Sequence, residues 1–235
     1  PKNIKAYIQR GFALKTIGRN KQALQCFEKV ISLDSKNIKA YMQKGLLEKN
    51  IGKKKEALQC FEMVISLNPK NIKAYMQRGF ALRNIGKKKE ALQCFEKVIS
   101  LDSKNIEAYI QKGIILEEFE KNKEAIECCN KVLNLNANSA WVYKAKGHLL
   151  QKIGKNKEAI ECYNKAIELK PNNSWTYNNK ASALQKIGKK VEAIQNYDKA
   201  LNIGPTNDRF SYAKGHVLYD MKKYEEAIAC FDQSI

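Results

Sequence analysis

Seven thiols and two imidazoles are the most chemically versatile side chains of this sequence, and their spacing is regular. Cys26, Cys60, Cys94, Cys128, Cys162 and Cys230 are separated by 34 residues or a multiple of 34, and Cys129 adjoins one of them. His148 and His216 share another place in the same period, two periods apart. Such groups could hold a metal, form disulfides or attack a substrate. A disulfide needs Cα atoms within about 7 Å, and a metal needs its ligands around one point. One thiol per period meets neither need: successive rungs are separated by a helix, and adjacent helix axes already lie about 8–10 Å apart. Cys128 and Cys129 would point about 100° apart on a helix. No Asp or Cys accompanies the histidines at ligand spacing, and no G-x-S-x-G, phosphate loop or His-Glu-x-x-His pattern occurs. The cysteines are therefore expected to be small packing residues. No catalytic residue, metal or cofactor is expected, and the chain is not expected to be an enzyme. An odd number of thiols without close pairing points to a reducing, cytoplasmic compartment.

The thiols are regular because the chain is regular. Six full units, 1–34, 35–68, 69–102, 103–136, 137–170 and 171–204, and an incomplete seventh, 205–235, form a single array without insertion or deletion. Units one and three differ at six positions. A repeat of this length grows by stacking units rather than by enlarging one core. Each unit reads as two helices. The first follows an N-cap candidate (Asn3, Asn37, Asn71, Asn105, Ser139, Asn173 or Asn207) and runs for about 14 residues. In unit one Tyr7, Gly11 and Leu14 line one face, and Ala23, Phe27, Val30 and Ile31 line a face of the second helix. Gly18, Gly52, Gly86, Gly154 and Gly188 mark the turn between them. Pro69, Pro171 and Pro205 stand where a new helix must begin.

The signature Tyr7-x-x-Arg10-Gly11-x-x-Leu14 followed by Ala23-x-x-x-Phe27 resembles the tetratricopeptide repeat family, and the resemblance covers the whole chain. The alanine recurs in all seven units as Ala23, Ala57, Ala91, Ala125, Ala159, Ala193 and Ala227. The resemblance implies an all-α fold, a right-handed superhelical solenoid of antiparallel helix pairs. Two departures stand out. The family's leucine before the glycine is basic in every unit (Arg10, Lys44, Arg78, Lys112, Lys146, Lys180, Lys214), with a stem that can lie on apolar surface and a charge in water. Unit four has Glu120 for the turn glycine and Cys129 for the aromatic, so a local irregularity is expected there. The opening Pro1 and the end at Ile235, inside a second helix, suggest an excised piece with an apolar end.

In this family the outer stripe of the first helices lines a concave groove, which is the expected peptide-binding surface. In unit one the stripe is Lys5, Ile8, Gln9, Phe12 and Lys15. Ile8 and Phe12 lie outside the core face, and Met42 with Leu46, Met76 with Phe80, and Ile110 with Ile114 repeat them. An apolar strip beyond what the core needs is a binding signal, although packing against the neighbouring unit also accounts for it. Lys5, Lys39 and Lys73 flank the strip on one side, and Lys15, Lys49 and Arg83 on the other. That combination suits a protein or peptide with acidic and hydrophobic side chains, whereas ordinary solvated lysines are the plainer account. Gln9, Gln43, Gln77 and Gln111 form a third row able to donate to and accept from a bound peptide unit, or to stand as ordinary exposed glutamines. Units five to seven present Trp141, Lys144, His148, Trp175, Asn178, Asn179, Arg209, Tyr212 and His216 instead. The family's five-residue carboxylate clamp maps onto Lys144, His148, Asn179, Arg209 and Ala213. Two of these match, Arg209 is conservative, and His148 and Ala213 depart, which implies a weaker carboxylate contact.

The net charge of +19 admits a second class of partner, nucleic acid, with the tryptophans as stacking platforms. The charge divides by unit as +5, +4, +5, −1, +4, +3 and −1, so an acidic interruption breaks any basic track. A third reading is self-association through the array ends. No apolar run approaches the roughly 20 residues of a bilayer span, so no membrane partner is expected.

Overall fold

A computed structural model describes residues 3–235, and Pro1 as the opening of the first unit lies outside the described residues. Fourteen helices follow one another among the described residues, with no strand. They are α1 (Ile4–Thr16), α2 (Asn20–Leu33), α3 (Ile38–Asn50), α4 (Lys54–Leu67), α5 (Ile72–Asn84), α6 (Lys88–Leu101), α7 (Ile106–Glu118), α8 (Asn122–Leu135), α9 (Ala140–Lys152), α10 (Asn156–Leu169), α11 (Ser174–Lys186), α12 (Lys190–Ile203), α13 (Asp208–Asp220) and α14 (Tyr224–Asp232). The chain divides into two compact units, Pro1–Lys112 and Gly113–Ile235, with the boundary inside α7. In the first, α1 packs on α2, α3 on α4 and α5 on α6, and α2 packs on α3 and α4 on α5. The same succession runs from α8 to α14 in the other.

Local signals in each repeat set the helix ends. The side chains of Asn3, Asn37, Asn71 and Asn173 each accept from the backbone N–H three residues ahead, as does Asn105. That satisfies a donor the helix cannot satisfy itself. Asn207 caps one residue earlier, at Arg209. Ser139 makes no side-chain cap, contrary to expectation. First helices end in one two-bond turn. In unit one Gly18 N–H donates to Lys15 O and Arg19 N–H to Leu14 O, at 3.1 and 2.9 Å. The turn residue is left-handed, as at Gly18 (φ 76°).

The expected irregularity in unit four is not in this turn. Glu120 takes φ 59° and makes the same two bonds, 2.9 Å each for Glu120 N–H to Glu117 O and Lys121 N–H to Leu116 O. Lys222 does so in unit seven at φ 62°. The cap geometry over-determines the backbone, so the deviation becomes conformational strain of about 1–2 kcal/mol rather than a changed path. The difference in unit four is internal, because half-buried Cys129 replaces the ring that fills the helix pair elsewhere.

Ala23, Phe27 and Val30 are fully buried, and the corresponding alanine and ring are buried in units two, three, five and six. The period cysteines are buried and form no disulfide, as packing residues should. Burial pushes the Cys60 thiol up to about 12, with the nearby Glu48 carboxylate adding to it.

The basic residue before the glycine does more than lie along apolar surface with its charge in water. Lys44 pairs with Glu28 at 3.0 Å, Arg78 with Glu62 at 3.0 Å, Lys112 with Glu96 at 2.8 Å and Lys214 with Asp198 at 2.6 Å. Each partner stands 16 residues earlier, on the second helix of the preceding repeat. At Lys146 and Lys180 that place holds Asn130 and Asn164. Burial and the nearby Lys199 hold the Lys180 ammonium below its usual range.

Candidate interaction surface

In the first compact unit the outer stripe is carried by α1, α3, α5 and the opening turns of α7. Lys5, Lys39 and Lys73 are exposed, and Ile8, Met42, Met76 and Ile110 are half-buried. Phe12, Leu46 and Phe80 form a second half-buried row. The rings meet the core edge-on, Phe12 against Phe27 at 5.7 Å and Phe80 against Phe95 at 5.6 Å. Met42 and Leu46 rest on the buried cluster of Ala57, Phe61 and Ala81, and Ile8 rests on the Leu14 cluster. The strip is therefore both interior and surface: one side packs inward and the other faces solvent. Lys39 Nζ lies 5.0 Å above the Phe12 ring, close enough for a cation–π contact between rim and floor.

The glutamine row is engaged within the protein. Lys15 Nζ donates to Gln43 Oε1 at 2.9 Å, Lys49 Nζ to Gln77 Oε1 at 2.7 Å, and Arg83 Nη1 to Gln111 Oε1 at 2.5 Å. Gln111 also donates to Glu107 at 2.7 Å and is buried. The second basic rim and the glutamines thus hold one another, which occupies the amide oxygens and fixes neighbouring first helices. Gln9 is exposed, and its place is the first of the row.

The second compact unit carries different groups. Ile114 is half-buried on the C-terminal half of α7. Glu117 accepts from Lys152 at 2.7 Å and lies 3.7 Å from His148 Nε2. Burial, then the Lys152 charge, hold the His148 imidazolium below its ordinary pKa, outweighing Glu117, so the ring is neutral at neutral pH. Trp175 meets Phe210 edge-on at 5.0 Å, and the Arg209 guanidinium lies 6.0 Å from the same indole. Asn178 donates to Asn179 at 3.4 Å, and Tyr212 and His216 stack edge-on at 4.5 Å. Of the clamp positions, His148 is thus turned to Glu117 and Arg209 to Trp175.

One feature of this unit escaped the reading of first helices alone. A cavity of about 120 Å³ is lined by Trp141, Lys144, Ala166, Lys170, Asn173 and Thr176, drawn from α9, α10 and the start of α11. Its signal was in the repeat register: Thr176 stands where the next unit has fully buried Phe210.

Models of the tetratricopeptide repeat match residues 4–37, 38–71, 106–139, 176–207 and 209–235, with a further one at 72–105 and a TPR repeat model at 147–188. The chain belongs to the tetratricopeptide repeat family. In the first four units the matched stretches begin three residues after the starts read from the sequence, at the first helix itself. Among solved structures, MamA is 26% identical with a TM-score of 0.67, over 71% of this chain and 91% of that one. YrrB, described as a TPR protein with an unusual peptide-binding site, is 22% identical with a TM-score of 0.72, over 80% and 97%. The C-terminal part of a TPR repeat-containing protein from Cytophaga hutchinsonii is 16% identical with a TM-score of 0.83, over 97% and 93%. No curated protein sequence matches the chain. Among the described residues, no helix is long and apolar enough to cross a membrane. The same residues contain no group of three or more His, Cys, Asp or Glu placed to hold a metal ion.

Proposed function

We propose that this tetratricopeptide array is a non-enzymatic scaffold that binds a protein segment with hydrophobic and acidic side chains along the outer stripe of its first helices. One observation carries the reading: the half-buried row Ile8, Phe12, Met42, Leu46, Met76, Phe80 and Ile110 keeps a solvent-facing side beside the exposed Lys5, Lys39 and Lys73. Apolar floor and cationic rim favour a partner of the complementary pattern. Lys15, Lys49 and Arg83 contribute by setting the spacing of the helices through Gln43, Gln77 and Gln111. YrrB's peptide-binding site is consistent with this use of the fold, although at 22% identity that likeness extends to the fold alone. Seven thiols outside any disulfide fit a reducing, cytoplasmic setting.

A selection from a displayed random-peptide library tests the proposal. Enriched sequences should combine acidic and aliphatic or aromatic residues. Lys39→Glu/Lys73→Glu, at exposed positions, should weaken the selected peptide at least tenfold while leaving the melting curve unchanged. Selection without such a consensus, or equal binding by the charge-reversed variant, refutes it.

A further inference from the structure

The cavity beside Trp141 belongs to the second compact unit and has its own chemistry. Its walls are the Trp141 indole, Ala166 and Thr176, and its polar groups are Lys144, Lys170 and Asn173. Three observations bear on what it takes. First, it goes with the small side chain that this repeat carries at one register position. The position is Ala40, Ala74 and Ala108 in earlier units, Val142 in the fifth, Thr176 in the sixth and Phe210 in the seventh, all buried. In the seventh unit the Phe210 ring is packed against Trp175 at 5.0 Å. In the sixth, Thr176 leaves the corresponding space beside Trp141 open, and the indole keeps about half its surface exposed.

Second, the two lysines are uncompensated. Among the described residues the side-chain ammonium of neither Lys144 nor Lys170 takes part in an ion pair or hydrogen bond, while Lys152, Lys155 and Lys165 of the same unit each hold a carboxylate at 2.7–2.8 Å. Asn173 Oδ1 is taken by the Thr176 N–H at 3.1 Å, which leaves its amide NH₂ as the available polar group. The cavity thus offers two ammonium groups and an amide NH₂, with the Thr176 hydroxyl beside them, around an aromatic wall. Third, its volume is well below the roughly 300 Å³ at which sites for drug-sized ligands begin. It has room for one side chain rather than a cofactor.

We propose that this cavity is a subsite for a single glutamate side chain of a bound protein segment. The methylene stem lies along Trp141, and the carboxylate sits between Lys144 and Lys170. A charge-assisted contact of this kind needs an anion, and an isosteric amide loses it. The inference rests on the reading of the array as a peptide-binding scaffold but is read out at a different place.

The chain has only two tryptophans, so the indole N–H resonance of Trp141 is identified by comparison with Trp141→Phe. The full chain is titrated with the capped tripeptide acetyl-Gly-Glu-Gly-amide and with its Gln counterpart, following ¹H–¹⁵N spectra. The Glu peptide should shift the Trp141 resonance saturably, at least fivefold more tightly than the Gln peptide. Lys170→Gln, at an exposed position, should abolish that preference. Thr176→Phe, which copies the seventh unit, should remove the response altogether. Phe12→Ala/Phe80→Ala should leave it intact, which separates failure of the stripe from failure of this subsite. Equal shifts with Glu and Gln, no shift of Trp141, or an unchanged preference in Lys170→Gln would each overturn the proposal.

Discussion

Alanine in place of two equivalent glycines should have opposite effects on stability. Gly147 lies on α9 with Tyr163 against it: a Cβ there would stand 2.6 Å from Cε1 and 2.9 Å from Cδ1 and Cζ. The ring cannot withdraw freely, because Tyr163 is fully buried and its hydroxyl donates to Gln151 Oε1 at 2.6 Å. Overpacking of this kind costs about 1–3 kcal/mol, and alanine returns about 1 kcal/mol of helix propensity. The sixth unit shows that the strain is bearable, since Ala181 occupies the same place against Tyr197 with both buried. The net cost of Gly147→Ala is therefore put at about 1 kcal/mol. Gly113 stands at the same place in unit four, where Cys129 replaces the ring, and its added Cβ would meet only Cys128 Cβ at 3.3 Å and Ala125 O at 3.9 Å. Propensity then prevails, and Gly113→Ala should stabilise by about 0.5–1 kcal/mol. For a chain of this size the resulting gap of about 2 kcal/mol corresponds to melting temperatures about 4–8 °C apart. Circular dichroism melts of both variants read it directly. Gly113→Ala melting at or below Gly147→Ala would refute the account, and so would a Cys129→Phe background in which Gly113→Ala still stabilises.

Glu120→Gly and Lys222→Gly should each raise stability by about 0.5–1 kcal/mol in urea titrations, because both residues hold a left-handed turn that glycine adopts without steric strain. Asn164→Asp should supply Lys180 with the acid that Lys44, Arg78, Lys112 and Lys214 have. A gain of about 0.2–1 kcal/mol is expected, fading in high salt. Cys60 and Cys129, both pushed up to about 12 by burial, should resist alkylation at pH 8.5 in the folded chain and react once it is unfolded. The sign of the linkage follows. These thiols stay protonated in the folded chain while an unfolded thiol ionises near 9, so stability is complete below about pH 9 and falls as pH rises from there toward 12. Alkaline denaturation curves of Cys60→Ser/Cys129→Ser should be flatter over that window.

The sequence made legible what depends on one helix or one helix pair. The period, the asparagine caps and the pairing of a small residue with a ring 16 positions later are visible because each is repeated at a fixed spacing. What stayed hidden depends on how helices of different repeats cross. Lys15 and Gln43 are 28 residues apart, and only the placement of successive first helices shows that the end of one meets the middle of the next. The bond between them withdraws the glutamine oxygens from the row of free arms that spacing alone suggested. The pairing of Lys44 with Glu28 was hidden for the same reason, although the charges were plain in the sequence.

The same distinction bears on where specificity resides. Core positions keep their residue type from repeat to repeat because a neighbouring repeat fixes the space, as Ala81 of the third repeat does for Ala57 and Phe61 of the second. Positions at a rung edge are less constrained, because the next unit can leave a space open or fill it with its own side chain. Thr176 and Phe210 are the clearest pair: one register position, both buried, with an open space beside Trp141 in one case and a ring against Trp175 in the other. The first compact unit repeats nearly the same stripe on α1, α3 and α5 and so offers a uniform, sequence-tolerant floor. The second changes its side chains at every step, which on the function proposed above would give it distinct places at which a particular partner residue is read. Variation among copies of one repeat therefore marks recognition more sharply than the shared signature, whose residues are accounted for by packing.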